Sequence, residues 1–141
     1  MKKVSFVILL LCLLSFIGCQ DLLECIINRR PELSDKSLEI AYVNNFYSET
    51  ITSEIKNETF DDGYYYYFYL KGELPPGIEY YIDYRNIILE GIPSASGSFT
   101  FTINLSVDQI NNYYDECENR FNDCDGLCAE TTSKVYTIVV N

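Results

Sequence analysis

The stretch EGIPSASGSFTF, residues 90–101, places two glycines and a proline directly ahead of a long alternating run. Phe99, Phe101, Ile103, Leu105 and Val107 fall at every second position, with Ser98, Thr100, Thr102, Asn104 and Ser106 between them. Unbroken period two of this length marks a strand with one buried face. Ahead of it, Pro93 cannot donate to a ladder and pushes Ile92 into extended geometry, which ends the preceding strand at Gly91. Gly97 can take a left-handed backbone conformation and reverse the chain. The stretch therefore reads as a corner between two strands.

Upstream and downstream the same alternation recurs between turn residues. Leu38, Ile40 and Tyr42 alternate with Glu39 and Ala41, and Tyr47, Ile51 and Ile55 share a parity. Asp61-Asp62-Gly63 is a turn, followed by a strand from Tyr64 to Leu70 with aromatic residues on both faces. In Leu74-Pro75-Pro76-Gly77, Pro76 presets the first central position of a type II turn and Gly77 supplies the positive φ of the second. Tyr80, Ile82 and Tyr84 form a short alternating strand that turns at Arg85-Asn86 into Ile87–Glu90. The last strand is Val135–Val140, with Tyr136, Ile138 and Val140 inward. About seven strands spaced by turns predict an all-β fold, a β-sandwich, occupying residues 37–141.

Leu74-Pro75-Pro76-Gly77-Ile78, then Gly91-Ile92-Pro93, Gly97 and the Phe99–Val107 strand resemble the bacterial Ig-like and dystroglycan-type cadherin-like domains. Those domains carry an LPPGL-like turn, a G-I-x-G-T-P-like corner and an alternating final motif in the same order. The resemblance is detailed over about residues 60–108 and implies an Ig-like or cadherin-like sandwich. It implies no particular ligand, because such domains serve as spacers, adhesion modules and binders alike. This chain departs from the pattern at Ile92, where Thr is usual, and near Tyr84-Arg85-Asn86, where a Gly is often found. Its connection to the last strand is also unusually long, a Cys-rich insertion.

The N-terminus has two lysines followed by an apolar run from Val4 to Ile17. That run is short for a membrane-spanning helix, which needs about 20 apolar residues, and it has the layout of a secretory signal. Ser15-Phe16-Ile17-Gly18-Cys19 resembles the lipobox of bacterial lipoproteins. The resemblance implies that residues 1–18 are a signal peptide, that Cys19 carries the lipid, and that residues 19–36 are a tether. Several acyl chains on one Cys anchor a protein stably to a membrane. Gln20 rather than Asp after the Cys implies, in many Gram-negative bacteria, the outer membrane. The expected place is therefore the bacterial cell envelope.

The chain has a net charge of −11, and loss of Lys2 and Lys3 with the signal makes it more negative. Such a chain has no electrostatic pull toward nucleic acid or anionic head groups. Cys12 leaves with the signal and Cys19 takes the lipid, so Cys25, Cys117, Cys124 and Cys128 remain. An even number in an exported chain predicts two disulfides, with three possible pairings. If all four are oxidised, Cys25 crosses to the cluster. Closing that loop of about 90–100 residues would contribute about 4–5 kcal/mol in the chain-entropy model. C-x6-C-x3-C lacks the close Cys pairs of structural zinc sites, and the chain has no His, so no metal or cofactor site is expected.

Three features offer function. The connection spanning residues 108–133 is acidic and Cys-rich. Asp108 can cap a helix there, or the strands can continue, and the segment suits a disulfide-braced cap or a surface for a cationic partner. Asp61-Asp62-Gly63 and Asp123-Cys124-Asp125-Gly126 are fragments of calcium-loop patterns, broken by Tyr64 and Leu127. In GYYYYFYLKG, Tyr64, Tyr66, Phe68 and Leu70 share the inward parity, which leaves Tyr65, Tyr67 and Tyr69 as an outward stripe. Flat aromatic rings suit sugars and partner proteins, although cross-strand Tyr pairs also stabilise sheets without a ligand. Without His, Ser–His and Cys–His catalysis are excluded. The expected function is thus a non-catalytic binding or adhesion lipoprotein with a protein or carbohydrate partner. The alternatives are an inhibitor of a cationic enzyme and a structural subunit of an envelope complex.

Overall fold

A computed structural model of the chain describes residues 28–110 and 127–141. The long alternating run becomes the centre of one sheet. We number the strands β1 (Arg30–Leu33), β2 (Tyr47–Lys56), β3 (Tyr64–Gly72), β4 (Ile78–Asp83), β5 (Asn86–Gly91), β6 (Gly97–Gln109) and β7 (Thr131–Val140). β6 pairs antiparallel with β3 on one side and β7 on the other. The second sheet runs in the order β1-β2-β5-β4. Together they make a β-sandwich-like, all-β fold, with no α-helix among the described residues.

The core follows the side-chain parity. Phe101, Ile103, Leu105 and Val107 of β6 meet Ile51 and Ile55 of β2, Ile87 and Leu89 of β5, and Ile138 and Val140 of β7 in one buried cluster. Each such side chain, fully buried, contributes roughly 1.5–3 kcal/mol relative to exposure. The Phe101 and Tyr136 rings stack at 6.1 Å between centroids.

At the corner, Ile78 N–H donates to the Pro75 carbonyl (2.9 Å), and Gly77 has φ +92°. These are the features of the expected type II turn. That turn then packs directly on the end of β5: Ile92 N–H donates to the Gly77 carbonyl (3.0 Å) and Ser94 N–H to the Pro76 carbonyl (2.8 Å). The approach is so close that a Cβ on Gly91 would lie 2.0 Å from the Gly77 oxygen, and one on Gly77 would lie 2.2 Å from the Ile92 oxygen. The glycines are there for backbone contact as well as for turning.

The N-terminal part differs from the expectation. Arg30–Leu33, placed in the tether by sequence, is a strand that pairs with β2, and Leu33 is buried. Tyr136 Oη donates to the Ser34 carbonyl (2.8 Å), and Lys134 Nζ to that of Leu33 (3.2 Å). The folded unit therefore begins before residue 37. The expected strand at Leu38–Tyr42 is reduced to one parallel bridge between Ala41 and Val140. Its alternation breaks after Leu38, which packs against the core as expected: at the bridge Ala41 is buried while Ile40 and Tyr42 face solvent. The segment joins the edge of β7, and the inward position is fixed by that edge.

Two further boundaries move. β6 continues through Asp108 to Gln109, opposite Tyr65 and Tyr64, so Asp108 lies in a strand and caps no helix. β7 begins at Thr131, which shortens the Cys-rich connection from both ends. In β4, Tyr80 and Ile82 share the parity of buried Ile78, yet are about half exposed. The β4–β5 turn is centred on Tyr84-Arg85, between paired Asp83 and Asn86, and Tyr84 takes φ +51°.

Gly91→Ala and Gly77→Ala should each lose at least about 2 kcal/mol, or about 8–16 °C in Tm. Gly63→Ala, whose Cβ meets nothing within 4 Å, should stay within about 0.5 kcal/mol of the parent. Thermal melts of the three variants check this, and equal effects at all three positions would contradict it.

Candidate functional site

The Tyr-rich strand has the expected parity. In β3, Tyr64 and Tyr66 are buried and Phe68 and Leu70 half-buried, while Tyr65, Tyr67 and Tyr69 are 50%, 53% and 66% exposed. The Tyr65 and Tyr67 rings are 6.4 Å apart and tilted by 44°, following the strand's twist.

Pairing then adds residues that the sequence left unassigned. Tyr67 lies opposite Ser106, which lies opposite Thr131; Tyr69 lies opposite Asn104, which lies opposite Ser133. The two tyrosines and these four polar residues line an open groove of about 490 Å³ on the outer face of the three-stranded sheet. Asn104 Nδ2 donates to the Tyr69 carbonyl at 3.3 Å. Period two already pointed Asn104 and Ser106 outward. Their place beside the tyrosines required the β3–β6 pairing, which joins strands far apart in the chain.

One end of the molecule is tied by Asp61. Its Oδ1 accepts from Ile55 N–H (2.7 Å) and from Tyr66 Oη (2.9 Å), and its Oδ2 accepts from Arg85 Nη1 (2.7 Å). The Asp61-Asp62-Gly63 turn therefore spends its first carboxylate on the protein's own donors. Among the described residues no group of three or more His, Cys, Asp or Glu side chains is placed to hold a metal ion.

Of the cysteines, Cys19, Cys25, Cys117 and Cys124 lie outside the described residues. Cys128 is disulfide-bonded, and its N–H donates to the Arg29 carbonyl at 2.8 Å. The Cys-rich connection thus returns to the sheets beside the start of β1. Among the described residues no helix is long and apolar enough to cross a membrane.

No protein-family model matches the chain, and no curated protein matches it. Among solved structures, the chain is similar to an endo-fucoidan hydrolase of glycoside hydrolase family 107, with a TM-score of 0.50 and 17% identity. The match covers 81% of this chain and 14% of that one, so the chain spans a small part of that protein's length. At this identity the likeness is one of fold alone.

Burial raises the phenols of Tyr47, Tyr66 and Tyr136 above their ordinary value, and Asp35 adds to burial in pushing Tyr136 up to about 12. For Tyr66 the hydrogen bond to Asp61 adds to burial. A raised phenol favours the neutral form in the fold, whereas the unfolded chain ionises near about pH 10. This stabilisation is complete below about pH 10 and is lost as pH rises through about 12. Alkaline titration followed by tyrosinate absorbance and circular dichroism should show the last phenols ionising together with loss of the β signal. Ionisation of every phenol with the β signal intact would contradict this.

Proposed function

We propose that the chain is a lipid-anchored, non-catalytic binding or adhesion module of the bacterial envelope, and that the outer face of the three-stranded sheet is its ligand surface. The observation that carries the reading is the row Tyr65, Tyr67 and Tyr69, half exposed on a sheet face beside a groove. Soluble domains rarely leave aromatic surface of this kind contiguous and open without using it. The anchor is the Cys19 lipid, which would hold the folded unit at the envelope through the residues ahead of β1.

An Ig-like sandwich is the finer fold reading. The strand orders β1-β2-β5-β4 and β3-β6-β7 support it, because the seven-strand immunoglobulin form divides its strands in that way. The passage of the N-terminal segment from β2 to a parallel bridge with β7 supports it too. The bond from Cys128 N–H to Arg29 supports a disulfide from the cluster to Cys25, four residues earlier, which would pin the tether to this end of the sandwich.

Crosslinking and pull-down of the lipidated protein from its own cells tests the function. The parent chain should capture a partner or envelope material, and Tyr65→Ala/Tyr67→Ala/Tyr69→Ala should reduce capture at least about tenfold with circular dichroism unchanged. Undiminished capture by the triple variant would remove the Tyr face as the ligand surface.

A further inference from the structure

We infer that the groove beside Tyr67 and Tyr69 is a subsite for a single chain of uncharged oligosaccharide. This rests on the reading of the Tyr face as the ligand surface, and it names the class of ligand and the residues that select it.

The first argument is the chemistry of the lining. Tyr67 and Tyr69 form one wall, and Asn104, Ser106, Thr131 and Ser133 form the floor. In a chain of net charge −11, the described residues that line the groove include no carboxylate, ammonium or guanidinium group. Lys71 and Asp108 lie beyond it, in register with Thr102 and Tyr65. An anionic polymer would find no cation among these described lining residues and would meet the repulsion of the whole chain. Hydroxyl and amide groups both donate and accept, as sugar hydroxyls do. The phenol rings offer flat apolar faces for the C–H side of a sugar ring.

The second argument separates a glycan from a peptide. An extended peptide gains affinity by adding to an open strand edge through its main chain. The floor of this groove is the face of β6 and the start of β7, and β6, at its centre, has its backbone paired on both sides, by β3 and by β7. Over β6 the hydrogen-bonding groups facing the groove are side chains, which suits a ligand whose own polar groups are hydroxyls. The third argument is shape. An open groove of about 490 Å³ with Tyr67 and Tyr69 along one side has the size of a cleft for a single ligand chain and not of a flat platform for a sheet of chains. Tyr65 itself lies outside the groove lining, opposite Asp108.

The test is competition for envelope binding by the full lipidated chain in detergent. The competitors are polysaccharide from its own cells, separated into neutral and anionic fractions by anion exchange. The neutral fraction should compete, and periodate oxidation should abolish that competition. Tyr67→Ala, Tyr69→Ala and Ser106→Arg should each weaken binding at least about tenfold. Tyr65→Ala should change it less than about threefold, and Tyr67→Phe, which keeps the ring, should retain it. Competition by the anionic fraction alone, survival of binding after periodate, or loss of binding on protease digestion of the envelope would overturn the inference. In each of those cases sensitivity to the triple Tyr substitution would leave the Tyr face standing as the ligand surface. Insensitivity to it would overturn both.

Discussion

One carboxylate, that of Asp61, joins the two sheets at the end where β3 begins. It holds Ile55 of β2, Tyr66 of β3 and the Arg85 side chain of the β4–β5 turn at once. Charge-assisted bonds of this kind are stronger than neutral ones, though the Arg85 side chain is 35% exposed and its share is correspondingly screened. The backbone donor of Ile55 and the Tyr66 hydroxyl, both partly buried, would lose a partner without it. Arg85 adds a second tie, because its carbonyl accepts from both Ser53 N–H (3.1 Å) and Ser53 Oγ (2.7 Å). The Tyr84 ring beside it meets Tyr66 edge-on at 5.8 Å.

The consequence for the surface is a matter of register. Side chains of a strand alternate, so a slip of one residue in β3 would bury Tyr65, Tyr67 and Tyr69 and expose Tyr64 and Tyr66. Within the four consecutive tyrosines the residue type is the same in both settings, and Phe68 and Leu70 further along the strand carry the inward parity. The hydroxyl of Tyr66 can reach Asp61 only in the observed one, and Tyr64 is paired with Gln109 at the same end. The cross-sheet tie therefore reinforces, at the start of the strand, the setting that Phe68 and Leu70 favour by packing against the core. At the opposite corner, the contact between Gly77 and Gly91 does the corresponding work for β4 and β5. That corner is scaffold, with its carbonyls and amides spent on one another.

Strands whose alternation was strict were legible from the residues: β6, the inward set of β3, and Tyr136, Ile138 and Val140 of β7. The turn at Pro76-Gly77 was legible because its two residues have few other uses. β1 was not, since Arg-Pro-Glu-Leu is short, contains a proline and shows no alternation; it is a strand because β2 offers it an edge. The broken alternation at Ala41 has the same origin, in a tertiary edge that local pattern does not record. Tyr80 and Ile82 alternate as a buried strand would, but β4 is an edge strand of the larger sheet, and four strands stacked on three leave its face partly open. Half of the groove was legible as the Tyr stripe. The polar half depends on pairings across about 25–40 residues of chain, and small hydroxyl residues carry no signal of their own.

The most direct test of the central claim, that the outer face of the three-stranded sheet is the ligand surface, is an NMR titration of the isotopically labelled protein with envelope material from its own cells. The expected result is chemical-shift change concentrated at Tyr67, Tyr69, Asn104, Ser106, Thr131 and Ser133, with the Gly77–Gly91 corner silent. Saturable binding whose shifts cluster elsewhere, on β4 or on the β1 edge, with the outer face of β3 and β6 unchanged, would contradict it.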